Sequence, residues 1–202
     1  MKLNWSRLSP FVRKVMIVGH ETGTAARIEC IETAASMSEA NATLQADNPL
    51  SKIPTLVLDD GTSLYDSRVI CEYLDSLHDG PRLFPEGPAR WDALRRQSLG
   101  DGIMDALILW RQERLKSQET QTAPWLTTFA RKIEVALAQL DAEAGRLGEL
   151  PFDIGHAALG SALRYMDVRF EDLDWRADVP RLAAWHAEFE KRPSAIATDP
   201  LV

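Results

Sequence analysis

The chain has 202 residues, of which 45% are hydrophobic and 26% charged, a balance typical of a folded globular protein. Its formal net charge is −7, and acidic residues outnumber basic ones both before and after residue 80. This charge argues against nucleic-acid binding, which depends on neutralising phosphates. No stretch of 18 apolar residues without charge and no secretory apolar segment is present, so we expect a cytoplasmic protein without a membrane partner.

The first 78 residues alternate between strand and helix patterns. A strand is predicted at 2–6, and a helix follows, with Ser9 as N-cap and Pro10 at the first helical position. Residues 26–31 alternate well enough for a second strand. The turn Asp59-Asp60-Gly61 between two short apolar runs predicts a hairpin, and a helix should begin at Asp66-Ser67. The order is therefore βαβ, a long connection, then ββα.

The remainder of the chain is predicted to be helical. Residues 80–88 are rich in proline and glycine, which is typical of a linker. After them, apolar residues recur at three and four positions in several long stretches. The sequence thus predicts an α/β domain over residues 1–78 and an all-helical domain over residues 88–202.

Neither cysteine nor histidine forms a pattern that points to a site. Cys30 and Cys71 make no CxxC pair, and two cysteines do not suggest a disulfide framework, which fits a reducing compartment. Both are most simply buried small residues. The four histidines lack HxxxH or carboxylate partners at ligand spacing, so no metal site is predicted.

Three segments resemble a known family. Residues 48–54 (Asn-Pro-Leu-Ser-Lys-Ile-Pro), followed by 64–70 (Leu-Tyr-Asp-Ser-Arg-Val-Ile), are similar to the pattern N-P-x-G-K-V-P and x-[ED]-S-x-x-I of glutathione S-transferases. Together with Ser-Pro-Phe-Val-Arg-Lys-Val at 9–15, and Asp-Gly-Ile-Met-Asp-Ala at 101–106, they resemble the bacterial, serine-type, YibF-like group. The resemblance covers nearly the whole chain. It implies a thioredoxin-like N-terminal domain, glutathione as co-substrate and a homodimer.

The resemblance implies a role for each motif residue that holds glutathione. The family holds the proline corresponding to Pro54 in cis, which leaves the backbone of Ile53 to pair with the peptide ligand like an added strand. Asp66 and Ser67 lie at a predicted helix start, where backbone N–H groups favour the γ-glutamyl carboxylate, and Asp66 can pair with the ligand's ammonium group. Lys52 can approach the glycyl carboxylate, although a loop lysine is usually just solvated.

Ser9 is the residue best placed to act on the thiol of glutathione. Phe11, two residues later, is also expected to bind glutathione. A free thiol with a pKa of about 8.5 is mostly protonated at neutral pH, so a hydroxyl donor and a helix N-terminus raise the thiolate fraction. Ser9 would donate a hydrogen bond and form no covalent intermediate. Taken alone, a serine before proline is more often an N-cap, and Asp66-Ser67 alone would be an ordinary helix start.

The electrophilic substrate is not identified by the sequence. We expect five residues to line a pocket for this substrate: Trp5, Met104, Leu107, Trp110 and Arg111. The main alternative is that these side chains pack in the core. Arg111 could instead meet an acidic electrophile. The predicted activity is transfer of glutathione to alkyl or aryl electrophiles, and the alternatives are a glutathione-dependent isomerase, peroxidase or reductase, or a binding protein without catalysis.

The sequence departs from the family pattern at two places. Asp153 and His156 stand where the family has a Ser/Thr N-cap and an aspartate, and histidine cannot supply the carboxylate half of a capping box, which argues against a complete box. Ser51 stands where glycine is common, so a changed loop conformation is expected there.

Overall fold

The computed structural model describes residues 1–201 and contains a mixed four-stranded sheet. The strand order is β2-β1-β3-β4; β1 pairs with β2 in parallel, and β3 pairs antiparallel with both β1 and β4. The strands are β1 (Lys2–Trp5), β2 (Glu29–Glu32), β3 (Thr55–Val57) and β4 (Ser63–Leu64). This is the predicted βαβ and ββα arrangement of a thioredoxin-like domain.

The helices of the chain follow the predicted division into an α/β part and a helical part. The α/β part has α1 (Pro10–Glu21), α2 (Ala42–Asp47) and α3 (Ser67–Ser76), with a short 3-10 helix at Ala25–Arg27. The later helices are α4 (Pro88–Arg114), α5 (Ala123–Glu149), α6 (Ile154–Arg169), α7 (Trp175–Asp178), α8 (Pro180–Phe189) and α9 (Pro193–Ala197). The predicted fold class, α/β followed by all-α, is confirmed.

The chain forms two compact units. The first comprises Met1–Arg90 together with the segment that starts at Pro193, and the second comprises Trp91–Arg192. In that terminal segment, carbonyl oxygens of Ala195 and Thr198 accept hydrogen bonds from the guanidinium of Arg13 on α1, each at 3.3 Å. The boundaries at 1–78 and 88–202 stay a prediction.

The first unit has a core of aliphatic side chains between its sheet and its helices. Leu3 on β1 and Leu56 on β3 are paired across the sheet and are fully buried. Each fully buried leucine contributes about 1.5–3 kcal/mol relative to an exposed one. The helices add further fully buried side chains to the core, among them Val15, Ile17, Val18, Ile70 and Leu74.

The second strand begins later than the alternation of residues 26–31 predicts. The amide of Arg27 donates to the Thr24 carbonyl at 2.9 Å and that of Ile28 to the Ala25 carbonyl at 3.1 Å, so the chain is still turning there. Pairing with β1 starts at Glu29. All four β2 residues are exposed, and an exposed edge strand carries little periodic pattern by which its limits could be predicted.

Asp75 on α3 holds the predicted linker. Its carboxylate accepts hydrogen bonds from the backbone amides of Leu83, at 2.8 Å, and Phe84, at 3.2 Å. The imidazole of His78 adds a third contact at 3.1 Å, and the Asp75 carbonyl accepts from Arg82. The Pro- and Gly-rich stretch is therefore tied to α3 by hydrogen bonds that its composition does not reveal.

The start of α6 carries a complete capping box, so the expectation that His156 prevents one was wrong. The carboxylate of Asp153 accepts from the His156 amide at 3.2 Å, and the His156 Nδ1 accepts from the Asp153 amide at 3.2 Å. A neutral imidazole supplies that acceptor because its Nε2 donates to the Leu147 carbonyl at 3.0 Å. When protonated, the same Nδ1 donates to the carboxylate, 2.8 Å away.

Ser51 also differs from expectation. Its φ is 51°, in the left-handed region that glycine adopts readily. The serine therefore has the backbone conformation of a glycine, and the expected change in loop conformation is not seen. The Ser51 hydroxyl accepts from the Asn41 amide at 2.9 Å, and this hydrogen bond offsets part of the backbone cost.

We expect the second unit to lose stability in acid through Asp153. Burial alone raises the pKa of Asp153, but hydrogen bonding by His156 and the charges of His156 and Arg96 outweigh it, so the pKa lies below its ordinary value. The pKa of an aspartate in the unfolded chain is about 3.9. A carboxyl group whose pKa is lower in the folded state stabilises the fold at pH values above about 3.9, and this stabilisation is lost as the pH falls through the pKa of the folded state. Denaturant unfolding at pH 7, 5, 4 and 3 should therefore show a falling free energy of unfolding below about pH 5.

The Asp153→Asn variant should lose about 3 kcal/mol of stability at pH 7, because it leaves the buried Arg96 guanidinium without its carboxylate partner. It should also show a shallower decline in acid. Asp79→Asn, which removes a charge from an exposed residue, is the matched control. An Asp153→Asn pH profile parallel to that of the wild type would contradict the assignment.

Candidate active site

The register of the sheet brings the proposed glutathione-binding motifs to one end. Asn4, near the end of β1, pairs with Thr55, at the start of β3. Ser63 of β4 pairs with Val57 at the other end of β3, so β4 runs in the direction of β1. The segment after β1, the segment before β3 and the segment after β4 therefore lie at the same end, which we call the site end of the sheet. Residues 9–11, 52–54 and 66–67 follow or precede these strand ends.

Ser9 is the N-cap of α1, and its side chain keeps a free donor. Its Oγ accepts a hydrogen bond from the Val12 amide at 3.3 Å, and Pro10 occupies the first helical position, as predicted. A hydroxyl can accept two hydrogen bonds and donate one, so capping leaves the O–H available. Ser9 is only half-buried. The N-cap interpretation and the thiol-donor interpretation are therefore compatible.

The first turn of α1 has a positive environment. No acidic residue lies in that turn, and the N-terminal end of the helix dipole favours an anion. Phe11 is half-buried, and the Nζ atom of the fully buried Lys14 lies 5.7 Å from the centre of its ring. An anion at the start of α1 would be stabilised by the helix dipole.

Asn48 fixes the loop that precedes β3. Its side-chain amide donates to the Lys52 carbonyl at 3.2 Å and to the Thr55 hydroxyl at 3.0 Å, and its oxygen accepts from the Leu50 amide at 3.0 Å. The Thr55 hydroxyl donates to the same Lys52 carbonyl at 2.8 Å. Asn48 is 1% exposed and Thr55 fully buried. Asn48 belongs to the motif at 48–54, but no role was predicted for it; an asparagine before a proline in a loop is the local signal for such a bond.

The other loop residues differ in exposure. The Ile53–Pro54 peptide bond is cis, as the resemblance implies. Ile53 is half-buried, Pro54 is buried, and Lys52 is exposed. A ligand could therefore reach Lys52 and Ile53, while Pro54 forms part of the support beneath them.

The α3 helix begins at Ser67 with Asp66 as its N-cap, as predicted. The Asp66 carboxylate is exposed and accepts from the Arg68 amide at 2.9 Å. The Tyr65–Asp66 peptide bond is cis. Ser67 is 2% exposed. The start of α3 thus offers backbone N–H groups and a helix dipole at the site end of the sheet, which suits a carboxylate.

The predicted electrophile pocket residues are divided between the two units. Trp5 is half-buried at the end of β1, and the other four lie on α4. Met104 and Leu107 are fully buried, and Trp110 is 8% exposed, which favours the core-packing alternative for these three side chains. Arg111 is half-buried.

The cysteines and possible metal ligands form no site in residues 1–201. Cys30 is exposed on the edge strand β2, so the expectation that both cysteines are buried was wrong for Cys30, whereas Cys71 is buried as expected. Desolvation raises the pKa of the Cys30 thiol, which disfavours the reactive thiolate. No group of three or more His, Cys, Asp or Glu side chains could hold a metal ion within that range. The same residues include no helix with the length and apolar character needed to cross a membrane.

Two family sequence profiles match the chain. The profile of the glutathione S-transferase N-terminal domain matches residues 8–77, which contain all the motifs at the site end of the sheet. The profile of the glutathione S-transferase C-terminal domain matches residues 123–188, within the second unit.

Similar proteins span the same length as this chain. The uncharacterised GST-like protein YibF of Escherichia coli K12 is 30% identical over 99% of this chain and 98% of its own. A glutathione transferase family member of Pseudomonas fluorescens Pf-5, solved with bound glutathione, is 47% identical over 100% of this chain and 99% of its own, with a TM-score of 0.96. A structure from the same organism with bound S-(propanoic acid)-glutathione is 45% identical over the full length of both chains, with a TM-score of 0.91.

We predict that Asn48→Ala loses about 1–3 kcal/mol of stability, because it leaves the Leu50 amide and the Lys52 carbonyl, both in partly buried hydrogen bonds, with fewer partners. Thermal or urea unfolding would measure the loss, and amide exchange at Leu50 should accelerate. Gln45→Ala, at an exposed position of α2, should stay within about 0.5 kcal/mol of the wild type. Equal stability of the two variants would show that Asn48 does not hold the loop.

Proposed function

This chain belongs to the glutathione S-transferase family, and on that basis we propose that it binds glutathione and transfers it to a small electrophile. The Pseudomonas relatives bind glutathione and S-(propanoic acid)-glutathione, and their sequence identity of 45–47% over the full length supports the same ligand for this chain. The proposed activity is transfer to an alkyl or aryl carbon. No metal takes part in the proposed mechanism.

Glutathione would be held by the motifs at the site end of the sheet. The backbone of Ile53 would exchange hydrogen bonds with the cysteinyl unit, supported by Pro54 below. Ser67 and the first amides of α3 would bind the γ-glutamyl carboxylate, and the exposed Asp66 would pair with the ammonium group. Lys52 would approach the glycyl carboxylate.

Ser9 would stabilise the glutathione thiolate. The observation that carries this role is that its Oγ accepts from the Val12 amide while its O–H remains free to donate. The sulfur of glutathione would lie near Ser9 and Phe11, where the α1 dipole also favours a negative charge. Each unit by which the thiol pKa falls corresponds to about 1.4 kcal/mol of preferential binding of the thiolate.

We expect Ser9→Ala to raise the pKa of bound glutathione by about one to two units, since a hydrogen bond to a charged group contributes about 1.5–3 kcal/mol. Ultraviolet absorbance of the thiolate against pH would measure the pKa, and calorimetry the affinity at a pH where the thiol is protonated. The affinity should change little, whereas the turnover at neutral pH should fall about ten- to a hundredfold.

Ser9→Thr retains a hydroxyl and a capping oxygen and serves as the matched control. It should keep the thiol pKa near the wild-type value. If Ser9→Ala leaves the pKa unchanged but lowers stability by about 1 kcal/mol, Ser9 is only a helix cap and the thiolate is stabilised elsewhere.

We further propose a cytoplasmic homodimer. In the second unit, large apolar side chains on two helices are exposed, and a dimer would cover some of them; they include Trp91 on α4, and Trp125 and Val135 on α5. Exposed apolar surface of this kind is typical of a protein interface.

Light scattering coupled to gel filtration should give twice the 22.6 kDa mass of one chain. Trp91→Glu places a charge on the most exposed of these side chains, 71% exposed, and should shift the mass toward the monomer at micromolar concentration. Glu39→Lys, in an exposed loop, changes the charge elsewhere and should leave the mass unchanged. A single-chain mass for the wild type would contradict the dimer.

A further inference from the structure

Arg13 is a buried arginine on α1, one helical turn after Ser9. Its backbone amide donates a hydrogen bond to the Ser9 carbonyl at 3.0 Å, so the position of one residue sets that of the other. Arg13 is only 4% exposed. An arginine is almost never buried to this extent unless its guanidinium group has partners. The fold therefore has to supply acceptors for it.

The short helix α9 supplies two of these acceptors. The Nε atom of Arg13 donates to the Thr198 carbonyl, and its Nη2 atom donates to the Ala195 carbonyl, each at 3.3 Å. Because α9 spans Pro193–Ala197, both carbonyls lie at its C-terminal end, where a helix leaves carbonyl groups available for side-chain donors. The guanidinium of Arg13 thus caps α9.

A second hydrogen bond fastens the other end of α9 to the other end of α1. The hydroxyl of Ser194, in the first turn of α9, donates to the carboxylate of Glu21, the last residue of α1, at 2.5 Å. Arg13 and Glu21 are eight residues apart, which is about 12 Å along a helix. All of these residues belong to the first unit. One of the two fastenings is therefore next to Ser9, and the other is remote from it.

The hydrogen bonds of Arg13 restrain α1 in a way that its apolar contacts do not. Burial of apolar surface is non-directional, so it holds a helix against its neighbours without selecting one axial position sharply. A hydrogen bond weakens steeply with distance and angle, and two from one planar group fix both a position and an orientation. Most other buried side chains on α1 are aliphatic, among them Val12, Val15, Ile17 and Val18.

We propose that Arg13 is a positioning residue for the reaction: by capping α9, it holds the first turn of α1 where the Ser9 hydroxyl can donate to the sulfur of glutathione. This inference rests on the proposed function, because it concerns how Ser9 reaches the thiolate. Arg13 acts through Ser9 and not by contact with glutathione, since its guanidinium is directed to the carbonyls of α9. Misplacement of a reacting group by about 1 Å can lower a rate about a hundredfold, so a restraint of this kind affects catalysis.

The test measures the thiol pKa of bound glutathione, from the ultraviolet absorbance of the thiolate against pH, in the wild type and in Arg13→Gln. The variant should raise this pKa by about one unit, which lowers the thiolate fraction at neutral pH about tenfold. Calorimetry at a pH where the thiol is protonated should show a glutathione affinity within about twofold of the wild type, because Ile53, Asp66 and Ser67 lie on other elements.

Arg13→Lys separates positioning from the charge of Arg13. It retains the positive charge, but a compact ammonium group cannot reproduce the fork that bonds to both carbonyls of α9. The thiol pKa of this variant should therefore lie between those of the wild type and Arg13→Gln. A wild-type pKa in Arg13→Lys would show that the charge alone acts on the thiol, and it would overturn the proposal. Should Arg13→Gln not fold, the position of Arg13→Lys between the wild type and Ser9→Ala decides in the same way.

Ser194→Ala separates positioning from a general loss of stability. It removes the fastening of α9 that is remote from Ser9, so it should lower the thermal midpoint of unfolding and leave the thiol pKa of bound glutathione at the wild-type value. If Ser194→Ala raises that pKa as much as Arg13→Gln does, loosening of α9 in general accounts for both results, and Arg13 has no special role.

The same measurements distinguish failure of this inference from failure of the proposed function. If Ser9→Ala raises the thiol pKa and Arg13→Gln does not, Arg13 does not position Ser9 and the proposed function stands. If the wild type binds no glutathione, or binds it without lowering its thiol pKa, the proposed function itself fails.

Discussion

The antiparallel pairing of β1 with β3 is the constraint on which the candidate active site depends. Because Asn4 lies opposite Thr55, the end of the first strand and the start of the third lie side by side. The loop that Asn48 holds and the helix that Ser9 caps are thereby brought to the same end of the sheet. A shift of one residue in this register would turn either Leu3 or Leu56 away from the core, so the packing that stabilises the unit also fixes the position of the site.

The chemistry expected at this end follows from helix ends more than from charged side chains. The helices α1 and α3 both begin there, and their first amides have no partner within the helix. Ser9 and Asp66 each satisfy one of these amides, and the others remain available for an anion. Glutathione carries two carboxylates and, once activated, a thiolate. A protein with an acidic net charge can therefore bind an anionic peptide where its backbone supplies local positive potential.

The features that the sequence predicted well are those set by short-range chemistry. Proline after Ser9, the Asp60-Gly61 turn and the Asp66-Ser67 step each determine a helix start or a turn within a few residues. The start of β2 was not predicted correctly, since the strand is exposed throughout and its limits depend on pairing with β1. The capping box at Asp153 was missed because the acceptor role of His156 depends on the carbonyl of Leu147, which fixes its tautomer.

The side chains around a possible substrate were the hardest to predict, for a related reason. Met104, Leu107 and Arg111 share one long helix, and helical spacing alone does not distinguish a buried side chain from one that can meet a ligand. The distinction comes from partners far away in the sequence: on the same helix, Arg96 pairs with Asp153 and Arg114 pairs with Asp172. A paired charge is satisfied by the fold itself. Because such partners are supplied by distant segments, only the folded structure shows which side chains of this helix serve packing and ion pairing.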